Sequence, residues 1–194
     1  MPKLIDRNAL LRSACGVVVL ALCSPPRWAA QEAANPHAQT LVEFQKRVKA
    51  YSDLRGKVET GPAQQKETSD PAKIVEAQQT LAARIRAARK DAQPGDLFTP
   101  AIQERFKRLL APQLKGKEGQ NTKADIKEDA PKAIQLKVNA AYPEAQPLPT
   151  VPPNILANLP KLPEDLEYRI VDRHLILRDV AANLIVDFIP NAIR

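Results

Sequence analysis

The side chains that could do chemistry are few. The 194-residue chain has two histidines, and a metal site needs several ligands brought together at a recognisable spacing. His37 and His174 have no such partners nearby and read as surface histidines. Beyond residue 30 the only serines are Ser52 and Ser69, and no G-x-S-x-G elbow surrounds either one. Gly56, Gly61, Gly95, Gly116 and Gly119 are scattered, so they make no phosphate-cradling loop. Glu164, Asp165 and Glu167 read as solubilising charges around a strand start. Asp179 and Asp187 flank the last turn, where an ordinary turn role takes precedence over cation binding. Arg84, Arg86, Arg89 and Lys90 form the densest basic cluster, diluted by Asp91. They spread over more than one helix face and read as a solvated face, with contact to an anionic polymer as the alternative. No catalytic, cofactor-binding or metal-ligating residue is assigned, and no cofactor is expected.

Cys15 and Cys23 are the only cysteines, and both fall in a segment that reads as an address. Lys3, Arg7 and Arg12 precede an apolar run from Ala14 to Leu22, followed by Ser24, Pro25, Pro26 and the small residues Ala29 and Ala30. Charge, apolar core and small residues in that order make residues 1–30 a secretory signal peptide. Cleavage after Ala30 leaves Trp28 at the position where a small residue is preferred, so a cut within Gln31–Ala34 is comparable. The run is about half the ~20 residues needed to cross a bilayer. No later stretch reaches that length without a charge or proline, so no transmembrane span is expected after signal cleavage. Leu20-Ala21-Leu22-Cys23 also has the outline of a lipoprotein box, which makes Cys23 a lipidation candidate. Leu22 is larger than the Gly, Ala or Ser usual before that cysteine, so lipidation is the minority reading.

Export changes the composition. Without the signal the chain has no cysteine, so packing alone must stabilise it in a compartment that permits disulfides. The formal charge is +7; residues 1–30 hold four bases and one acid, and 29 less four against 22 less one leaves +4. Interspersed charges of that modest excess argue against nucleic acid, which needs clustered cations. Attraction to anionic envelope polymers or lipid headgroups would be nonspecific.

The elements that must position these side chains follow from periodicity. Residues 36–114 form the helical region. Leu41, Phe44, Val48, Tyr51 and Val58 share one helix face, with Gly56 and then Gly61-Pro62 as the stop. Asp70 caps a second helix opened by Pro71 and carried to Ala92, with Ile74, Leu81, Ile85 and Ala88 as its stripe. Thr99-Pro100 opens a shorter third helix with Ile102, Phe106, Leu109 and Leu110 inward. An antiparallel hairpin with the third helix laid across it is the economical packing. Residues 115–132 are dense in charge, with Ile126 the only sizeable apolar residue, and are expected to be a mobile linker.

Residues 133–194 hold a proline-rich arm and a small sheet. Ile134, Leu136 and Val138 alternate as a short strand. Seven prolines between Pro143 and Pro163 exclude a long helix or central strand, although Asn154–Leu159 can make one helical turn. Taking Asp172-Arg173 as a hairpin turn sets Ile170 opposite Leu175 and Tyr168 opposite Leu177 on one face. Glu167 then faces Arg178, and Arg169 faces Ile176, on the other. Leu184, Val186 and Phe188 supply a third alternating strand. The fold class is α+β, and the greasy sheet face needs a cover from either the arm or the helices.

Three stretches together resemble a group of exported proteins of unknown activity found in Acidobacteria. They are KETSDP with PGDLFTP, NAAYPEAQPLPTVPPNILANLPKLPEDLEYRIV, and RHLILRDVAANLIVDFIP. The resemblance implies export and a shared architecture over most of the chain and brings no catalytic residue. The terminal run also resembles, more loosely, C-terminal β elements of small Gram-negative periplasmic proteins, some linked to metal homeostasis. The function expected is that of an exported, non-enzymatic envelope protein, periplasmic or extracellular, whose helix sides or open sheet face bind a protein partner. A small hydrolase of envelope polymers acting through carboxylates and a periplasmic cation-binding protein are the alternatives. The intact mass of protein recovered from fractionated cells should match cleavage near Ala30 in a soluble fraction. A mass that begins at a lipidated Cys23 would make it a membrane-tethered lipoprotein instead.

Overall fold

Each of the first three helices begins where a polar side chain and a proline coincide. A computed structural model of the chain describes residues 35–60, 69–128, 130–131 and 134–193. The signal segment, Cys15, Cys23 and Gly61-Pro62 lie outside the described residues. Asn35 accepts the His37 N–H and opens α1 (Pro36–Glu59); Asp70 accepts the Ala72 N–H and opens α2 (Pro71–Ala88). Thr99 precedes α3 (Pro100–Leu110) without a side-chain cap bond. Gly56 does not stop α1. Helix-interior glycine costs only ~1 kcal/mol relative to alanine, which the docked stripe offsets. α2 ends at Ala88 rather than Ala92, because Arg89 leaves helical geometry at φ −120°.

The first two helices run antiparallel. Arg84 bonds the Val58 carbonyl, Arg89 lies over the Tyr51 ring, and Phe98, beyond α2, stacks on Phe44. Phe106 from α3 meets both phenylalanine rings edge-on at 4.9 and 5.3 Å. This aromatic trio is the centre of the helical layer.

The segment expected to be a linker is largely helical. After a single 3-10 turn (Ala111–Leu114), α4 spans Gly116–Glu128 and buries Gly119, Thr122 and Ile126. Those three recur at helical spacing, but two are small, so a count of sizeable apolar residues missed the stripe. Asn154 on the proline-rich arm donates to the Thr122 hydroxyl, and Ile126 enters the main core. The arm makes one short helix, α5 (Pro153–Leu156), within Asn154–Leu159 and its flank.

The sheet is an antiparallel meander ordered β1 (Leu166–Val171), β2 (His174–Asp179), β3 (Leu184–Ile189). Its first register is the one the sequence requires: Glu167 pairs with Arg178, Tyr168 with Leu177, Arg169 with Ile176 and Ile170 with Leu175. Asp172 supplies the turn's positive φ of 55°, a role that Asp tolerates better than most residues. The second register shifts between Leu177 and Arg178. This bulge breaks the alternation expected of Leu184, Val186 and Phe188. Leu184 and Val186 face the helices, whereas Phe188 packs with Ile176 and Ile185 on the opposite face.

Both faces are covered, each by a different part of the chain. The helices and the arm residues Val151, Ile155 and Leu159 share one core with Tyr168, Ile170, Leu175 and Leu177. Tyr142, Ile134, Leu136 and Leu148 cover the other face. Ile134 to Val138 is not a strand. The only pairing nearby is an isolated bridge between Ala141 and Leu184, which shields the outer edge of β3.

Gly119 is the tightest point of this packing. A β-carbon there would lie 2.2 Å from the Leu114 carbonyl carbon and 2.7 Å from its oxygen. Gly119→Ala should therefore destabilise the protein by ~1–3 kcal/mol in urea unfolding, despite the gain in helix propensity.

Candidate functional site

Charged residues on apolar faces are the first places to look, and three meet the description. Arg55 continues the α1 stripe four residues after Tyr51 and is buried. Asp179 follows Leu175 and Leu177 on the helix-facing side of β2, and Asp187 sits opposite Leu177 on β3; both are fully buried. Asp179 Oδ2 accepts from the Tyr51 hydroxyl at 2.8 Å and from Arg55 Nε at 3.0 Å, while its Oδ1 accepts the Ala182 N–H. The Arg55 guanidinium also reaches Glu59 at 2.6 Å and Asp165 at 3.1 Å. Burial pulls the Arg55 pKa down, but these three carboxylates outweigh it and hold the guanidinium charged. Burial first, then the Asp179 charge, pushes the Tyr51 phenol far above its usual value.

Asp187 does similar work on the loop before α3. Its Oδ1 accepts N–H groups of Gly95 and Phe188, and its Oδ2 those of Leu97 and Phe98, at 2.8 to 3.0 Å. The turn role expected of Asp179 is met only through Ala182, and that of Asp187 is corrected. Both carboxylates join the layers, and their oxygens are already occupied by donors, which leaves them closed to a cation. Among the described residues no group of three His, Cys, Asp or Glu side chains converges as a metal site. This buried centre is structural. Glu59, which holds Arg55, borders a cleft of about 580 Å³ against α2, but Tyr51, Asp179 and Asp187 do not line it.

The other sequence candidates disperse. His37 is exposed at the start of α1. His174 is half-buried, accepts the Asn191 N–H through Nδ1, and has its pKa lowered chiefly by burial. Ser69 is exposed, and the buried Ser52 hydroxyl has no hydrogen-bond partner, so no base activates it. Glu164 is exposed, Asp165 holds Arg55, and Glu167 bonds Arg178 and Arg169. Burial raises the Glu167 pKa, but the two arginines prevail and draw it below the ordinary range, which makes it a poor general acid.

A cavity of about 740 Å³ lies between the proline-rich arm and β1. Val151, Leu156, Leu159, Leu162 and Tyr168 give it apolar walls, with Lys161 and Arg169 at the rim. Two latches hold the arm across it: the Tyr168 hydroxyl on the Pro160 carbonyl at 3.1 Å, and Arg169 on the Pro149 carbonyl at 3.4 Å. Buried Ile155 anchors α5, while Leu156 next to it stays half exposed.

The floor of this slot is a sheet edge. Val180 donates its N–H to the Asp165 carbonyl, which makes the pairs in register with it (167 with 178, 169 with 176) the bonded ones. The N–H and C=O groups of Tyr168 and Ile170 therefore point away from β2, and among the described residues no backbone group meets them. Sequence reasoning saw the hairpin and the arm but not this slot, which exists only where the two are held side by side. Compared with protein-family models, with curated proteins and with solved structures, the chain matches none. The likeness to exported proteins of Acidobacteria therefore rests on its residues alone.

Removing the Asp187 charge tests the buried centre. Asp187→Asn leaves one oxygen for four N–H donors and sets an amide NH2 among them. The variant should lose ~2–3 kcal/mol in urea unfolding while keeping its far-ultraviolet dichroism.

Proposed function

We propose that this is an exported, non-enzymatic interaction module of the bacterial envelope that binds an extended segment of a partner protein along β1. The outward-facing backbone groups of Tyr168 at the apolar slot, continued at the buried Ile170, carry this reading, and a partner reaches them by displacing the arm from the edge. An unpaired strand edge is a template for another strand once uncovered, and main-chain bonds there give affinity while adjoining pockets select side chains. The slot volume lies within the ~300–1,000 Å³ of ordinary ligand sites. Lys161 has no carboxylate partner among the described residues, so the preferred segment alternates apolar residues and carries a carboxylate near that rim. The open sheet face, offered in the sequence reading as a partner site, is covered on both sides, which moves the binding surface to the edge. Among the described residues no helix is long and apolar enough to cross a membrane.

Peptides of alternating apolar character selected from a displayed library test the reading. Bound peptide should slow hydrogen exchange at the Tyr168 and Ile170 amides, and Leu156→Glu should weaken binding at least tenfold without altering the melting temperature. Selected peptides that leave both amides exchanging at their free rate would overturn it.

A further inference from the structure

The basic cluster at and just beyond the end of α2 is solvated at Arg86 and Lys90, while Arg84 and Arg89 are half-buried. Arg84 donates to the Val58 carbonyl, and Arg89 to the Asn139 side chain and the Val186 carbonyl. Arg86 gives only its Nε, to the Asn139 carbonyl at 2.9 Å, which leaves both terminal nitrogens of its fork free. Arg47, Arg55, Arg169, Arg173 and Arg178 each hold a carboxylate; none of the α2 cluster does so among the described residues. Arg89 has the charges of Asp96 and Asp187 near it, whereas Arg86 and Lys90 hold no carboxylate among the described residues.

Two of these cations, joined by Lys137 from elsewhere in the chain, border one cavity. Arg86, Lys90 and Lys137 line a cleft of about 630 Å³, completed by Gln93, Pro94 and Asn139. No carboxylate lines it. Asp96 turns its Oδ2 to the Gln93 N–H, Asp187 is saturated by backbone donors, and Asp91 is exposed outside the lining. Lys137 reaches this place only because residues 137–140 are pinned. Asn139 takes a positive φ of 63°, donates its N–H to Ile185 and exchanges side-chain bonds with Arg89 at 2.7 and 2.9 Å. The backbone that carries Lys137 and the Nε of Arg86 are thus fixed beside the cleft before any ligand arrives, which lowers part of the ordering cost of binding.

We infer that this cleft binds a phosphomonoester or pyrophosphate group, free in solution or carried on a lipid headgroup. Three cations around one small cavity call for a compact group with at least two negative charges, whereas an acidic peptide needs a row of them. The free edge of the Arg86 fork matches two phosphate oxygens, and Lys90 and Lys137 act as point charges beside it. The inference is independent of the strand-edge reading, since the two surfaces share no residue.

Calorimetry with pyrophosphate, on the purified protein, provides the test. One saturable site is expected, weakening as salt is raised. Lys90→Gln with Lys137→Gln should weaken it at least tenfold at an unchanged melting temperature, because neither side chain has a partner to lose. Amide signals of residues 90–93 and 137–140 should shift on titration. Phosphatidylcholine vesicles with and without phosphatidic acid separate the sources. Pyrophosphate binding without vesicle binding indicates a soluble ligand, and vesicle binding that pyrophosphate competes away indicates a headgroup. Absence of both, binding undiminished in the double variant, or tighter binding of an oligoglutamate peptide would each overturn the inference.

Discussion

Two carboxylates with no exposed surface, Asp179 and Asp187, hold the helical layer on the sheet. Burying an ion costs several kcal/mol unless hydrogen bonds replace its water, and removing one partner leaves the charge stranded. Each oxygen here has such a replacement. Asp179 draws in Tyr51 and Arg55 of α1, and Asp187 draws in the backbone of the loop that leads into α3. Hydrophobic contact would allow the helices to slide on the sheet, since it has no direction. The two carboxylates fix where α1 and the start of α3 must lie, and the stacked rings of Phe44 and Phe98, with Phe106 edge-on to both, then close around that position.

The remaining surfaces follow from that placement. With helices on one face and Tyr142, Leu136 and Leu148 on the other, the small sheet has no open side left. Its β3 edge meets Ala141 near the start of that strand, whereas Tyr168 and Ile170 on the β1 edge meet no backbone group among the described residues. The arm could have paired there, but its prolines remove the donors that a ladder needs. It bridges the edge through side-chain latches instead, and the slot is the space left between a strand that wants a partner and a segment unable to become one. Asn139 works in a similar way beside the C-terminal end of α2, where one residue at positive φ brings Lys137 to the cations of another element.

Much of the fold was legible in local signals. Asn35-Pro36, Asp70-Pro71 and Thr99-Pro100 marked the helix starts, and the hairpin register followed from requiring one apolar face. Arg55 and Asp179 could also have been found, because each interrupts an apolar stripe at its expected period. A charge at such a position is either an error of phase or a buried partner. α4 was not legible by bulk apolar content, since Gly119 and Thr122 contribute close approach rather than area. The bulge in β3 left no local mark, so Phe188 was placed on the wrong face.

The sequence by itself determined the secondary elements, their amphipathic faces and the first strand register, because capping, proline geometry and alternation act within a few residues. Tertiary structure alone decided which faces meet, which strand edge stays open and which cations share a cleft. Those outcomes depend on contacts such as Tyr51 with Asp179 and Arg89 with Asn139, whose partners lie far apart in the chain. No periodicity records a pairing between two distant residues; only the packed molecule brings their atoms within hydrogen-bond distance.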